Sequence, residues 1–232
     1  AIDESGMSRP VFSGALFNVS DGVLTTVGTD GYRLAICKEQ IDCADNYDFV
    51  VPKSALLEVA RLLGDDADKT VQIAVGARHA IFTIGAYTVF TRLLDGQFLD
   101  YQKAIPSNYT TSAKISTNDF AASVDRVSIM VSDHLKSPIV CKFNHDDGTI
   151  NLSCNTAIGA AKDSVKATEM VGGDLTIGFN GRYLLDALNH AGCDEARLQL
   201  GGPLATMVIL PDDGDSFTFL VLPVRLKAEG AE

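Results

Sequence analysis

The chain has no run of about eighteen uninterrupted apolar residues, so no membrane-spanning helix is expected. Its opening Ala1-Ile2-Asp3-Glu4-Ser5 lacks both a basic start and an apolar stretch, so no secretory leader is visible. Cysteine is sparse. Cys37, Cys43, Cys141, Cys154 and Cys193 are odd in number and scattered, a usage that suits reduced thiols and a cytoplasmic protein better than a disulfide framework. Positive charge is also short. The 19 lysines and arginines face 30 aspartates and glutamates, and the net charge of −11 argues against ordinary DNA binding through phosphate neutralisation.

Catalytic signatures are missing too. There is no Walker loop, no Gly-x-Ser-x-Gly elbow and no His-Glu-x-x-His. Acidic clusters occur at Asp65-Asp66-Ala67-Asp68, Asp146-Asp147 and Asp212-Asp213-Gly214-Asp215. Each falls at a predicted turn, where Asp and Gly serve the backbone rather than a pair of metal ions. Cys141, His145 and Cys154 lack a Cys-x-x-Cys partner and a fourth ligand for zinc. His79, His134 and His190 read as surface or half-buried side chains. The expectation is a protein without catalytic residues, metal or cofactor.

What is present is apolar content of 46%, enough for a core across one large or two ordinary domains. The chain also repeats itself. Phe49-Val50-Val51-Pro52-Lys53-Ser54-Ala55-Leu56-Leu57-Glu58-Val59 aligns with Ile177-Gly178-Phe179-Asn180-Gly181-Arg182-Tyr183-Leu184-Leu185-Asp186-Ala187 at an offset of 128. Asp21-Gly22-Val23-Leu24 aligns with Asp147-Gly148-Thr149-Ile150 at 126, each a hairpin turn between alternating apolar residues.

In the second copy, Phe120, Val124, Val127 and Val131 recur at helical spacing over 116–131, with Asp119, Ser123 and Arg126 on the other face and Thr117 or Asn118 as cap. Strands are expected near 138–144, 149–155, 158–167 and 174–179. A helix over 181–191, stopped by Gly192, precedes strands near 196–200, 205–210 and 217–222. The first copy predicts strands near 13–19, 22–28, 32–38 and 47–51, a helix over 53–63, and strands near 70–75, 79–85 and 87–93. Its opening helix is missing. The fold class is α+β: two repeated domains, with helices packed on one face of antiparallel sheets. The expected domains are 1–108 and 109–226, followed by a flexible tail at 227–232.

Three segments carry a family resemblance: Thr29-Asp30-Gly31-Tyr32-Arg33-Leu34-Ala35, Asp95-Gly96-Gln97-Phe98-Leu99-Asp100-Tyr101 and Leu222-Pro223-Val224-Arg225-Leu226. Together with the repeats they resemble the bacterial DNA sliding clamp, the beta subunit of DNA polymerase III, over residues 9–226. The likeness is to the second and third of three domains. It implies a non-catalytic processivity factor that closes round double-stranded DNA as a head-to-tail homodimer ring when full length. The piece at hand would lack the first domain needed for closure.

The resemblance also implies a peptide groove between the two domains. One side would use Phe12, Thr29, Gly31, Tyr32, Arg33 and Leu34, with Leu99, Lys103 and Ala104. The other would use Leu135, Asn180, Tyr183, Leu204, Thr206, Leu220, Val221, Leu222, Pro223, Val224, Arg225 and Leu226. The implied partners are replicative polymerase, clamp loader and repair proteins carrying Gln-Leu-x-Leu-Phe-type peptides. Leu34, Leu204, Leu220 and Leu222 would seat the aromatic anchor. Pro223, with no amide proton, would leave an open binding edge. Leu34→Asp would then abolish binding and spare the fold. The chain departs from the family where Leu222 and Val224 replace Met, Leu99 replaces Pro, and Lys103 replaces Arg; its lining is stiffer.

The charge objection has an answer. Across the three helices Lys53, Arg61, Arg126 and Arg182 balance Glu58, Asp119, Asp125 and Asp186, so the negative excess sits elsewhere. With Arg9, those four cations are the expected DNA-facing residues. Each also reads as an ordinary solvated side chain. The alternative function is a generic α+β protein-binding module with no DNA role.

Overall fold

The computed structural model describes residues 1–2, 9–64, 66, 68–130 and 137–226. They fall into two units, Ala1–Tyr101 and Gln102–Glu232. The division falls between 101 and 102, where the sequence places it at 108. Thr110 donates its N–H to Leu200 O at 2.8 Å. Gly201 is packed so tightly on the Asn108 carbonyl that a Cβ there would stand 2.8 Å from it.

In the first unit, a 3₁₀ turn (Pro10–Ser13) leads into β1 (Gly14–Ser20), β2 (Val23–Thr29), β3 (Arg33–Gln40) and β4 (Tyr47–Pro52). These form an antiparallel sheet in the order β3-β2-β1-β4. Asp21 and Gly22 both take positive φ between β1 and β2, the geometry a two-residue hairpin demands. Helix α1 (Lys53–Leu63) follows and ends at Gly64, whose N–H returns to Ala60 O. β5 (Gln72–Val75), β6 (His79–Ile84) and β7 (Tyr87–Arg92) make a second antiparallel sheet. Phe17, Phe49 and Phe82 join Val51, Ala55 and Val59 in the core. Phe17 stacks on Phe49 and meets Phe82 edge-on.

The second unit runs β8 (Thr111–Ser116), α2 (Thr117–Ser128), β9 (Ile139–Asn144), β10 (Thr149–Thr156), β11 (Gly159–Lys166), β12 (Glu169–Gly172), β13 (Leu175–Phe179), α3 (Gly181–Asn189), β14 (Glu195–Leu200), β15 (Met207–Pro211) and β16 (Phe217–Val221). Its four-stranded sheet has the order β11-β10-β9-β13, the same winding as β3-β2-β1-β4 in the first unit. The β14-β15-β16 meander repeats β5-β6-β7 and is extended by β8 and β12. The two units are copies of one α+β design, with no counterpart of β8 and α2 described in the first.

Helix α2 buries Phe120, Val124 and Val127 as expected, while Val131 lies outside the described residues. Ser123, expected on the outward face, is buried instead, because α2 packs against β10 and β11 as well as α3. Its cap is Ser116, which accepts from Asp119 N–H, rather than Thr117 or Asn118. Helix α3 buries Leu184 and Leu188 beside Ala191. Strands β8 and β12 were not expected. Both are short, and β8 runs straight into α2, so its alternation merges with the helical pattern.

Candidate functional site

In the first unit, several of the expected residues lie on the Thr29–Arg33 turn. Gly31 has φ +85°, a conformation other residues resist. Asp30 organises the rest: its Oδ1 accepts from the N–H groups of Tyr32 and Arg33, each at 3.0 Å, and its Oδ2 pairs with Arg33 Nε at 2.9 Å. The Thr29 hydroxyl donates to Arg33 O at 2.9 Å and accepts from Gly31 N–H at 3.1 Å. The turn is held by its own side chains, and it presents Tyr32 63% exposed. Arg33, expected in the groove wall, braces the turn through Asp30. Such Asx bonding is what Thr-Asp-Gly encodes.

In the same unit, Phe12 meets Phe98 edge-on at 5.4 Å, and Arg9 lies over the Phe12 ring at 5.9 Å. This contact fixes the Asp95–Tyr101 segment on the 3₁₀ turn. Leu99 is half-buried; Lys103 and Ala104 are exposed on a second 3₁₀ turn (Tyr101–Ala104).

Leu34 departs from expectation. It is only 5% exposed. Strand alternation places it with Ile36 on a face that also carries Leu16, Val27 and Val50, all buried. Leu34→Asp is therefore not a clean test, since it buries a carboxylate. Thr29 is buried as well.

In the second unit, the expected residues centre on the closing segment. β16 stops at Val221, and Pro223 keeps the chain from continuing the ladder. The segment then crosses to the other sheet of the same unit. Val224 donates its N–H to Gly178 O at 2.8 Å, an isolated antiparallel bridge to β13. The edge expected to stay open is thus partly used. Leu226 folds over Gly178, where a Cβ would stand 2.5 Å from Leu226 Cδ2 and 3.0 Å from Val224 O. Gly178 escaped notice as a site residue, though a glycine inside a strand signals close backbone approach.

Of the four leucines expected to form the pocket, Leu204 (59%) and Leu222 (40%) are exposed, whereas Leu220 and Leu34 are each buried. Val221 is buried and Val224 and Arg225 are exposed. Asn180 caps α3 by accepting from Arg182 N–H at 3.0 Å, so its amide oxygen is engaged in the helix. Tyr183 and Thr206 are half-buried. Leu135 lies outside the described residues, as do His134, Asp65, Ala67 and the 227–232 tail.

The expected DNA-facing cations are Arg9, Arg61, Arg126 and Arg182, all exposed, and the half-buried Lys53. Arg61 pairs with Glu58 at 2.6 Å and Arg126 with Asp163 at 2.6 Å. The Arg61 hydrogen bond holds the Glu58 carboxyl below its usual range. Asp163 is lowered first by Ser164 N–H and then by Arg126. Among the described residues, no cluster of three His, Cys, Asp or Glu side chains could hold a metal. Nor does any described helix reach the length and apolarity needed to cross a membrane.

Two copies of a helix-on-sheet unit, each exposing apolar side chains on a chain reversal, define a duplicated α+β protein. Family models match each unit separately. The DNA polymerase III beta subunit central-domain model matches residues 2–100, and the C-terminal-domain model matches 102–225. The chain belongs to the DNA polymerase III beta subunit family.

The beta sliding clamp of Staphylococcus epidermidis is 31% identical over 220 residues, covering 94% of this chain and 58% of that protein. The chain thus spans under two thirds of the curated relatives it matches. The sliding clamp of Bacillus subtilis superposes with a TM-score of 0.92 at 27% identity, covering 98% of this chain and 60% of that one. A clamp of Pseudomonas aeruginosa, solved with ligand, superposes with 0.88 at 30% identity, covering 97% and 61%.

Proposed function

We propose that this chain is the partner-binding part of a sliding clamp: a non-catalytic, cytoplasmic processivity factor. In its complete form it encircles double-stranded DNA as a homodimeric ring and tethers polymerase, clamp loader and repair proteins. Family membership supports the DNA role. Peptide binding rests on one observation: Leu222 and Val224 are exposed on a segment pinned to Gly178, a fixed apolar ledge of the kind that receives anchor side chains. Leu204 and Arg225, exposed in the same unit, would add to the surface.

The DNA reading survives the acidic net charge because a ring holds its cargo by topology. The helices carry no net charge, and Arg61 and Arg126 are already partnered, so the contact with phosphate would be weak, as sliding requires.

The test is calorimetric titration of the chain with a Gln-Leu-Ser-Leu-Phe peptide. One-to-one binding that Leu222→Asp removes supports the reading; no heat at millimolar peptide refutes it. Magnesium- or manganese-dependent cleavage of DNA by the purified chain would refute the non-catalytic assignment. A generic binding module would bind peptide yet fail to support processive synthesis from the full-length ring.

A further inference from the structure

Five Asp-Gly steps punctuate the chain, at Asp21, Asp30, Asp95, Asp147 and Asp213. Such a step can rearrange without a catalyst. The glycine nitrogen attacks the aspartate Cγ and a C–N bond forms. A carboxyl oxygen leaves as water, taking the amide proton with it. Water then opens the succinimide ring at either carbonyl. One opening restores aspartate; the other gives isoaspartate, whose main chain runs through the side-chain carbon. Glycine favours the reaction because it has no side chain to crowd the ring and adapts its backbone freely. A fold suppresses it by tying up either reactant or by fixing the backbone between them.

The five steps are not held alike. At Asp30 both reactants are tied: the carboxylate accepts from Tyr32 N–H, Arg33 N–H and Arg33 Nε, and Gly31 N–H donates to the Thr29 hydroxyl. At Asp147, Oδ1 accepts from the Thr149 N–H at 3.0 Å and its hydroxyl at 2.5 Å, while Gly148 N–H donates to His145 O at 3.3 Å. The Thr149 bonds also hold the Asp147 carboxyl below its usual range, in the ionised form that a nitrogen attacks poorly. Asp21 and Gly22 fill a two-residue loop closed by the Ser20–Val23 pair, which fixes both in positive φ. Asp95 and Asp213 differ. Each is exposed, as is the glycine after it. Among the described residues, neither carboxylate and neither glycine N–H has a hydrogen-bond partner. Gly96, at φ +128°, and Gly214, at +78°, lie outside every strand and helix.

We infer that Asp95 and Asp213 are modification sites: the native chain converts them to isoaspartate as it ages, while its own hydrogen bonds protect Asp30 and Asp147. Conversion at Asp95 alters packing as well as covalent structure. On one side, Leu94 N–H is bonded to Val50 O at 3.0 Å; on the other, the buried Phe98 ring meets Phe12 at 5.4 Å. An extra main-chain carbon between these two fixed points displaces the ring contact, which is the weaker of the two attachments because β4 anchors Val50 within its sheet. The inference does not depend on the clamp reading.

The experiment ages the full chain at mildly acidic pH, folded and in concentrated urea. Isoaspartate is mapped by mass spectrometry after digestion with a protease that cleaves before aspartate but not before isoaspartate. In the folded chain, isoaspartate should appear at 95 and 213 at least about tenfold faster than at 30 and 147, where charge-assisted hydrogen bonds must first break. In urea the five rates should converge. Thr149→Val, which removes the hydroxyl donor, should raise the folded-state rate at Asp147 by about threefold or more. Ageing should also shift the Phe12 and Phe98 amides in ¹⁵N-labelled wild type but not in Asp95→Glu, whose longer side chain does not close the same ring. Equal rates in the folded chain, the same ranking in urea, or isoaspartate foremost at Asp30 or Asp147 would overturn the inference. Phe98 shifts that persist in Asp95→Glu would overturn its packing consequence.

Discussion

Val224 donates its backbone N–H to Gly178 O at 2.8 Å, tying the segment after the last strand to the other sheet of its unit. The bridge turns a strand end into a fixed ledge. Pro223 stops β16, the bridge aims the chain, and Leu226 closes over Gly178.

Gly178→Val would remove that seat, since any Cβ there meets Leu226 at 2.5 Å and Val224 O at 3.0 Å. The closing segment would lift. Peptide affinity measured by calorimetry should fall by at least about tenfold, or 1.4 kcal/mol. Amide shifts in β14 and β15 should stay unchanged.

Leu222→Asp and Leu34→Asp should behave oppositely. Leu222 is exposed and should lose peptide binding with its melting temperature kept. Leu34 is buried, so its aspartate should destabilise the fold by roughly 2–5 kcal/mol. Chemical denaturation of the two variants separates these outcomes. Equal stability would contradict the burial of Leu34.

Asp30→Ala should loosen the Thr29–Arg33 turn without touching a ligand directly. Two backbone N–H groups and the Arg33 guanidinium lose their acceptor. Peptide binding should weaken about three- to tenfold. Faster hydrogen exchange at Tyr32 and Arg33 would locate the cause in turn order.

Lys114 meets Asp212 and Glu195, each at 2.7 Å, and Arg197 meets Asp212 at 3.1 Å, so the second unit's stability depends on acid. Hydrogen bonding from Lys114 holds the Asp212 carboxyl below its usual range. A group depressed on folding stabilises above its unfolded pKa, near 4, and loses that contribution as pH falls through the lower folded value. Asp212→Asn should therefore melt below wild type at pH 7, with the gap closing as acid protonates Asp212 in the folded chain. A gap that widens in acid would contradict the assignment.

Burial pushes the Cys141 thiol up to about 12. Iodoacetamide at pH 8 should leave it unmodified in the native chain and label it after denaturation, as read by mass spectrometry.

Much of this was legible in the residues. The α1 limits at 53 and 63 follow from Pro52 and Gly64, and the paired Asp-Gly turns exposed the duplication. Burial was the harder quantity. Leu34 and Leu222 look alike in sequence, yet alternation within β3 hides one and the break at Pro223 exposes the other. Ser123 read as outward because helical periodicity cannot show that α2 is covered on two sides. Gly178 was visible only as a repeat match, since the chain that crosses it arrives from 46 positions later, at Val224.

The ion pairs of Lys114 and Arg197 tie the second unit's strands together outside its core, and they weaken as salt screens them. Buried apolar side chains answer in the opposite sense, because excluded salts such as sulfate favour their burial. Chloride and sulfate at equal ionic strength should therefore move the melting temperature differently, both screening the pairs and sulfate offsetting that loss through the core.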